Sequence, residues 1–286
     1  MRRIRRTSTP AREVESHPSL QALHARWKRL HEGDREAYPD ALQISRWTRK
    51  YAVFASWVDA HGGAQVLAEA VQSAWQAFHA GEFLRAIELG GKAGAVGATA
   101  ANKAAATYAV NEGRTEAGSL KALQTAMRRA EQAVKMLPDY ANAHYTLALA
   151  QGRYSQRISI VQALANGLAT RVRTALDMTL KLEPHHAEAH IALGLFHAEI
   201  LAKLGPLVAR LTYQVSTEAA IEHFRRAIKL APSVPIAYME YAHGLLLLDS
   251  AAHRQQAREL YAEAAACEPA DAMERLDVER AKRGLR

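Results

Sequence analysis

Proline closes a helical run four times in this chain, and that recurrence constrains the fold more than any other feature. AEQAVKMLP stops at Pro138, ALDMTLKLEP at Pro184, HFRRAIKLAP at Pro232 and YAEAAACEP at Pro269. Proline has no amide hydrogen and disfavours helix at the residue before it, so each run must end there and a new helix must begin beyond it. After the first three prolines the text repeats as DYANAHYTLAL, HHAEAHIALGL and SVPIAYMEYAH. Setting Pro138, Pro184 and Pro232 in register stacks His144, His190 and Tyr238. It also stacks Leu147, Leu193 and Tyr241, then Ala148, Gly194 and Ala242. The small residues of the last set allow two helices to approach closely. Ala220, Phe224 and Ala227 before Pro232 have the i, i+4, i+7 spacing that lines one helix face, and Ala257, Tyr261 and Ala264 before Pro269 repeat it. Such units are helix pairs that bury their apolar faces only by stacking on one another.

These units resemble the tetratricopeptide family, whose helix A carries a large residue, a leucine and a glycine or alanine, and whose helix B carries alanines, a large residue and a closing proline. The segment AFHAGEFLRAIELGGKA, residues 77–93, resembles the family's turn between helices A and B through Gly81, Glu82, Phe83 and Ala86. The likeness extends over residues 64–269. It implies an all-α fold, an α-α superhelix (a TPR-like solenoid) with lengthened helix pairs. The proline spacings are 46, 48 and 37 residues, against a family period of 34. The extra residues lie around 152–168 and 201–216, and the apolar residues Leu201, Leu204, Leu207, Val208 and Leu211 predict that the second insert packs on the solenoid. This layout of lengthened units is similar to that of the regulator-of-microtubule-dynamics family. Elongated periplasmic helical-repeat proteins of transport systems are a looser likeness.

Two parts are expected: a basic helical N-terminal extension at 1–63, and the repeat domain at 64–286 with a C-terminal capping helix. Charge separates them. Residues 1–50 hold 12 Lys/Arg and 6 Asp/Glu, leaving 25 and 23 for the rest, out of a net charge of +8. Arg2, Arg3, Arg5 and Arg6 make the most basic stretch, read as a solvated terminus. No apolar run follows that would make a signal peptide or span a membrane, so a cytoplasmic protein is expected.

No chemical motif rises above the repeat. His186, His190 and His197 share a helix face, which is a geometric opening for a metal. However, His190 occupies the repeat's large-residue position, so no metal and no cofactor are expected. Cys267 is the single cysteine, read as a small packing residue. Gly90, Gly91, Gly94 and Gly97 match neither phosphate-loop spacing. No nucleophile elbow or carboxylate pair is present, and no basic face with interleaved aromatics suggests nucleic acid. The expectation is no catalytic residue and no enzyme.

What remains is the concave face. Family register places Asn142, Tyr145, Leu149 and Arg153 there from one unit. The next contributes Glu188, Ile191, Leu195 and Glu199, and the one after it Ile236, Met239, His243 and Leu246. A mixed apolar and polar surface of this kind suits a protein or peptide partner. The leading expectation is thus a non-catalytic scaffold or adaptor. The alternative is a small-ligand or anion receptor using Arg153 and Arg157. Two questions stay open at this level: whether the inserts fill the groove, and whether residues 1–60 dock on the solenoid.

Overall fold

The computed structural model describes residues 19–113, 115–249 and 251–286; the Arg2–Arg6 cluster lies outside them. The described residues form sixteen helices and no strand. Short helices α1 (Leu20–Leu30), α2 (Ala41–Lys50) and α3 (Ala52–Ala60) come first. Five pairs follow with their additions. They are α4 (Gly63–His79) with α5 (Phe83–Lys92); α6 (Gly94–Asn111) with α7 (Glu116–Met136); and α8 (Ala141–Ser155), α9 (Ile160–Ala165) and α10 (Leu168–Leu182). Next come α11 (Ala187–Leu204), α12 (Pro206–Tyr213) and α13 (Thr217–Leu230), then α14 (Pro235–Leu247) with α15 (Ala251–Ala266). Helix α16 (Ala272–Gly284) ends the chain.

Local chemistry places the helix ends. Leu137, Glu183 and Ala231 leave the helical region immediately before their prolines, as the clash with the proline ring requires. Hydroxyl or carboxylate caps start α7, α9, α13 and α16 at Thr115, Ser159, Ser216 and Asp271. The stacked set His144, His190 and Tyr238 has a role beyond packing. Each reaches back six residues to the carbonyl of its own proline, at 2.8 Å to Pro138, 3.4 Å to Pro184 and 2.9 Å to Pro232. The repeat position therefore selects a side chain that can donate to an otherwise open turn.

Close packing explains Gly194 in the third stacked set. The Phe224 ring lies between Gly194 and Gly244, where an added Cβ would come within 2.7 Å and 2.5 Å of it, and it stacks on Tyr241 at 4.9 Å. Helices α4, α6, α8, α11, α14 and α16 turn toward the inside of the superhelix. The superhelix closes on itself, because α16 packs against α4 and the Asp271 carboxylate meets His79 Nδ1 at 2.6 Å.

The N-terminal helices are part of this body. Leu23, Trp27, Ile44, Phe54 and Val58 are buried in one core with Trp75, Phe78 and Phe83. Residues 41–60 form two helices, split at Tyr51 where the backbone is extended. The inserts correct one expectation. Leu201 and Ala209 are buried in a core with Leu176, Leu193 and Phe196, and Leu204 is partly buried against it, but Leu207, Val208 and Leu211 are exposed, as are Ile160, Val161 and Leu164 on α9. Helix α12 has only two turns, and Ala209 with Tyr213 is the side it turns inward.

Candidate functional site

The concave face is occupied in part by the chain's own N-terminal segment. After α1, residues 31–36 run through the centre of the superhelix as a strap. Trp27 anchors its start, with the indole N–H donating to the Glu36 carbonyl at 2.7 Å. Gly33 lies against Glu188 so closely that an added Cβ would meet the Glu188 side chain at 3.1 Å, and the Glu188 amide donates to the Gly33 carbonyl at 3.0 Å. The Asn142 amide donates to the Asp34 carbonyl at 3.0 Å and to Glu36 at 2.9 Å, while its oxygen faces His186 Nε2 at 2.8 Å. The Lys103 ammonium bridges Asp34 and Glu188, at 2.7 Å and 2.9 Å. His31 Nδ1 pairs with Asp34 at 2.9 Å, and its Nε2 faces His79 at 3.2 Å. Arg29 forks onto the two oxygens of Glu274 in α16, at 2.7 Å and 2.8 Å. The N-terminal segment is thereby tied to the first, middle and last helices at once.

Burial sets the charge states here. The Lys103 ammonium is held above the usual lysine range: burial opposes the charge, but the Asp34 and Glu188 carboxylates outweigh it. Asp34 is held well below the carboxylate range, because Lys103 and His31 outweigh its burial. Burial pushes Glu36 up to about 8, with the Asp34 charge adding to it. Burial pushes His31 down to about 4 and His186 to about 3, so both rings are neutral at pH 7.

Beside the strap a cavity of about 290 Å³ remains between α6, α8, α11, α14 and α16, with α9 and α10 along one flank. Leu149, Val172, Ile191, Leu195, Phe196 and Ile200 make much of its wall. Arg153, Glu199, Lys203, Glu240, Asp277 and Arg280 bring its charge. Arg153 contacts Glu240 at 3.2 Å, and Glu199 contacts Lys203 at 3.0 Å.

The residues placed on the concave face by register separate into three groups. Tyr145, Arg153, Glu188, Ile191 and Glu199 line the cavity, although Glu188 is also the strap's seat. Asn142 is buried and saturated by the strap and His186. Met239 and His243 do not line the cavity. Met239 is packed with Ala264 and Ala281 between α14, α15 and α16, so its assignment to a binding surface is corrected: α16 covers the side of α14 that register alone left open. His243 is half exposed and sits on Glu240 at 3.4 Å. The strap occupies part of the groove, and residues of the inserts, among them Ile160, Leu164 and Leu204, line the cavity that it leaves. Register missed Asp34, Lys103 and the α16 residues Glu274, Asp277 and Arg280, since none belongs to a repeat position. The one sequence signal was the mixed charge of HEGDRE following α1.

Arg153 and Arg157 are both engaged. Arg157 contacts Glu116 at 2.8 Å and the Ala109 carbonyl. His186, which caps α11, and His190 and His197 on it turn to different partners: His186 to Asn142, His190 to His223 Nδ1 at 2.9 Å, and His197 Nδ1 to the Ser216 amide at 3.2 Å. Among the described residues no group of three His, Cys, Asp or Glu is arranged to hold a metal, and no helix is long and apolar enough to cross a membrane.

The family model described as regulator of microtubule dynamics protein 1-3 matches residues 98–285, more than half of the chain, and the chain belongs to that family. Among solved structures, a thermophilic TPR protein of Thermus thermophilus superposes with a TM-score of 0.55 at 16% identity, over 76% of this chain and 98% of that one. At that identity the likeness is one of fold. A monomeric mutant of IFIT1 with Gppp-AAAA matches at TM-score 0.33 and 14% identity, over 92% of this chain and 76% of that one. The human IFIT1 dimer with PPP-AAAA matches at 0.31 and 16%, over 92% and 70%. Neither score bears on this chain. No curated protein is significantly similar in sequence.

Proposed function

We propose that this member of the regulator-of-microtubule-dynamics family is a non-catalytic scaffold that holds an apolar segment of a protein partner in the concave cavity. The observation that carries the proposal is the cavity itself. It is an apolar hollow of about 290 Å³ that the strap leaves unfilled, with charged groups in its wall. A volume of that order accepts a few apolar side chains rather than a whole helix, so recognition rests on anchor residues inserted into a pocket. The exposed apolar residues of α9 lie next to it, since Ile160 and Leu164 also line the cavity. They extend the contact surface beyond the hollow.

A second reading, a small-molecule receptor, draws on the same volume, which lies at the lower edge of the range for ligand pockets, about 300–1,000 Å³. Its anion-binding form is disfavoured, because Arg153 and Arg157 already face carboxylates.

The test is capture from a lysate of the source cell with wild type and Leu149→Trp, which fills the cavity from a half-buried position. Loss of a specific protein from the variant, with thermal unfolding unchanged, supports the scaffold. Equal retention by both baits removes the cavity from the interface.

A further inference from the structure

Six carboxylates and four cations line the cavity, and five of the six carboxylates have a close partner. Glu188 has Lys103, Glu199 has Lys203, Glu240 has Arg153, Asp271 has His79 and Glu274 has Arg29. Asp277 is the exception. Its nearest cation is Arg280 at 3.9 Å, beyond hydrogen-bond reach. Its Oδ1 receives no donor, although the residue is only 1% exposed. A buried carboxyl left without a donor is costly, and native structures tolerate such groups mainly where something else completes them.

We propose that the cavity takes an aliphatic stem ending in a protonated amine, with the ammonium donating to Asp277 and the stem lying on Leu149, Ile191, Leu195 and Ile200. The inference rests on the binding role given to the cavity above and specifies the chemistry of its occupant. Three features select this chemistry. The wall carries two more acids than bases, so its field favours a cation. Burial pushes the Asp277 carboxyl well above the ordinary carboxylate range, Arg280 offsets this only in part and the buried Glu240 adds to it; an ammonium has three N–H groups with which to serve both carboxyls and would favour their charged forms. A carboxylate or phosphate head would instead face two carboxyls, Asp277 and Glu240, with Arg280 as the one wall cation not already hydrogen-bonded to a carboxylate, because Arg153 is held by Glu240. A lysine side chain of a partner and a free alkylamine present the same chemistry.

The test uses the full chain in titration calorimetry with octylamine, 1-octanol and octanoate. Wild type is compared with Asp277→Asn and Leu149→Trp, each first shown to unfold cooperatively. Wild type is expected to bind octylamine at least about tenfold more tightly than 1-octanol and octanoate weakest of the three. Asp277→Asn is expected to bring amine and alcohol to parity with the alcohol affinity unchanged, and Leu149→Trp to lose both. Equal affinity for amine and alcohol in wild type, or an amine preference that survives Asp277→Asn, overturns the inference; loss of both probes in Leu149→Trp would then still uphold binding in the cavity. If wild type binds no probe, the inference is also overturned, and the capture experiment decides the scaffold role on its own. A peptide LLKLL blocked at both ends, with and without Nε-acetylation, separates the sources. Binding that acetylation abolishes assigns the amine to a protein lysine, whereas binding of octylamine alone assigns it to a small molecule.

Discussion

The Lys103 ammonium lies 2.7 Å from the Asp34 carboxylate, and this pair joins the N-terminal strap to the inner wall of the superhelix. Both groups are nearly buried, with 14% and 1% of the side chains exposed. Removing one partner leaves the other charged and without compensation, which costs about 3–5 kcal/mol in buried pairs. Lys103→Met is expected to lower stability in urea by that order. It should also raise hydrogen exchange at the Glu188 amide, which is bonded to the Gly33 carbonyl. The double variant Lys103→Met/Asp34→Asn should be less destabilised than the single. A single variant as stable as wild type would show that the strap is held by other contacts.

The Phe224 clamp gives a second expectation. A methyl group at Gly194 or Gly244 would enter the ring's van der Waals envelope, at 2.7 Å and 2.5 Å. Overpacking of this kind costs about 1–3 kcal/mol, so Gly194→Ala and Gly244→Ala should each lower the melting temperature by several degrees. Pairing either with Phe224→Leu should cost less than the sum of the two single losses, because the smaller side chain makes room for the added methyl group. Strict additivity would mean that the ring is not the obstacle.

Stability should pass through a maximum near pH 6.5. His31 and His186 have folded pKa values of about 4 and about 3, below the ordinary 6.5. Their contribution is therefore present above pH 6.5 and is lost as pH falls toward 4. Glu36 is raised to about 8 from 4.5, so its contribution is present below 4.5 and is lost as pH rises through 8. Each group changes stability by at most about 1.4 kcal/mol per pH unit within its window. Between 4.5 and 6.5 these two histidines, joined by His190 and His197, which burial also lowers to about 4, oppose Glu36; above 6.5 Glu36 acts with the other carboxyls that burial raises, Asp277 foremost. Urea midpoints at pH 4.5, 6.5 and 8 check the shape. Glu36→Gln should make the fall between 6.5 and 8 shallower; a variant that falls as steeply as wild type would assign the fall to other groups.

Met239→Arg separates a core position from a surface one. Met239 is 3% exposed and packed among Ala264 and Ala281, so an arginine there must bury an unpaired charge or open the α14–α16 contact. The expected result is a loss of several kcal/mol, read by chemical denaturation. Stability unchanged from wild type would return Met239 to an accessible face.

Much of the scaffold was legible in the chain. The prolines at 138, 184 and 232 do end α7, α10 and α13, and the register that stacked His144, His190 and Tyr238 reported a shared hydrogen bond to the proline carbonyl. These signals act over a few residues, within one turn or one helix pair, where proline geometry and capping decide the outcome. The lengthened units and the family they resemble were legible for the same reason. Of the concave residues placed by register, Tyr145, Arg153, Glu188, Ile191 and Glu199 do line the cavity. Met239 does not, because α16 covers it and no repeat position announces a cap that folds back.

By itself, then, the amino-acid sequence determined the helices, their ends and their stacking in pairs, since each depends on neighbours close along the chain. Only the tertiary structure decided what the concave face contains. Lys103 meets Asp34 across 69 residues, Asn142 meets Glu36 across 106 and Arg29 meets Glu274 across 245. No local pattern links such pairs. They form because the superhelix curves until its last helix reaches α4, which shields from water a central space where the strap's buried carboxyls must find donors, Asp34 in Lys103 and His31 and Glu36 in Asn142 and Tyr140.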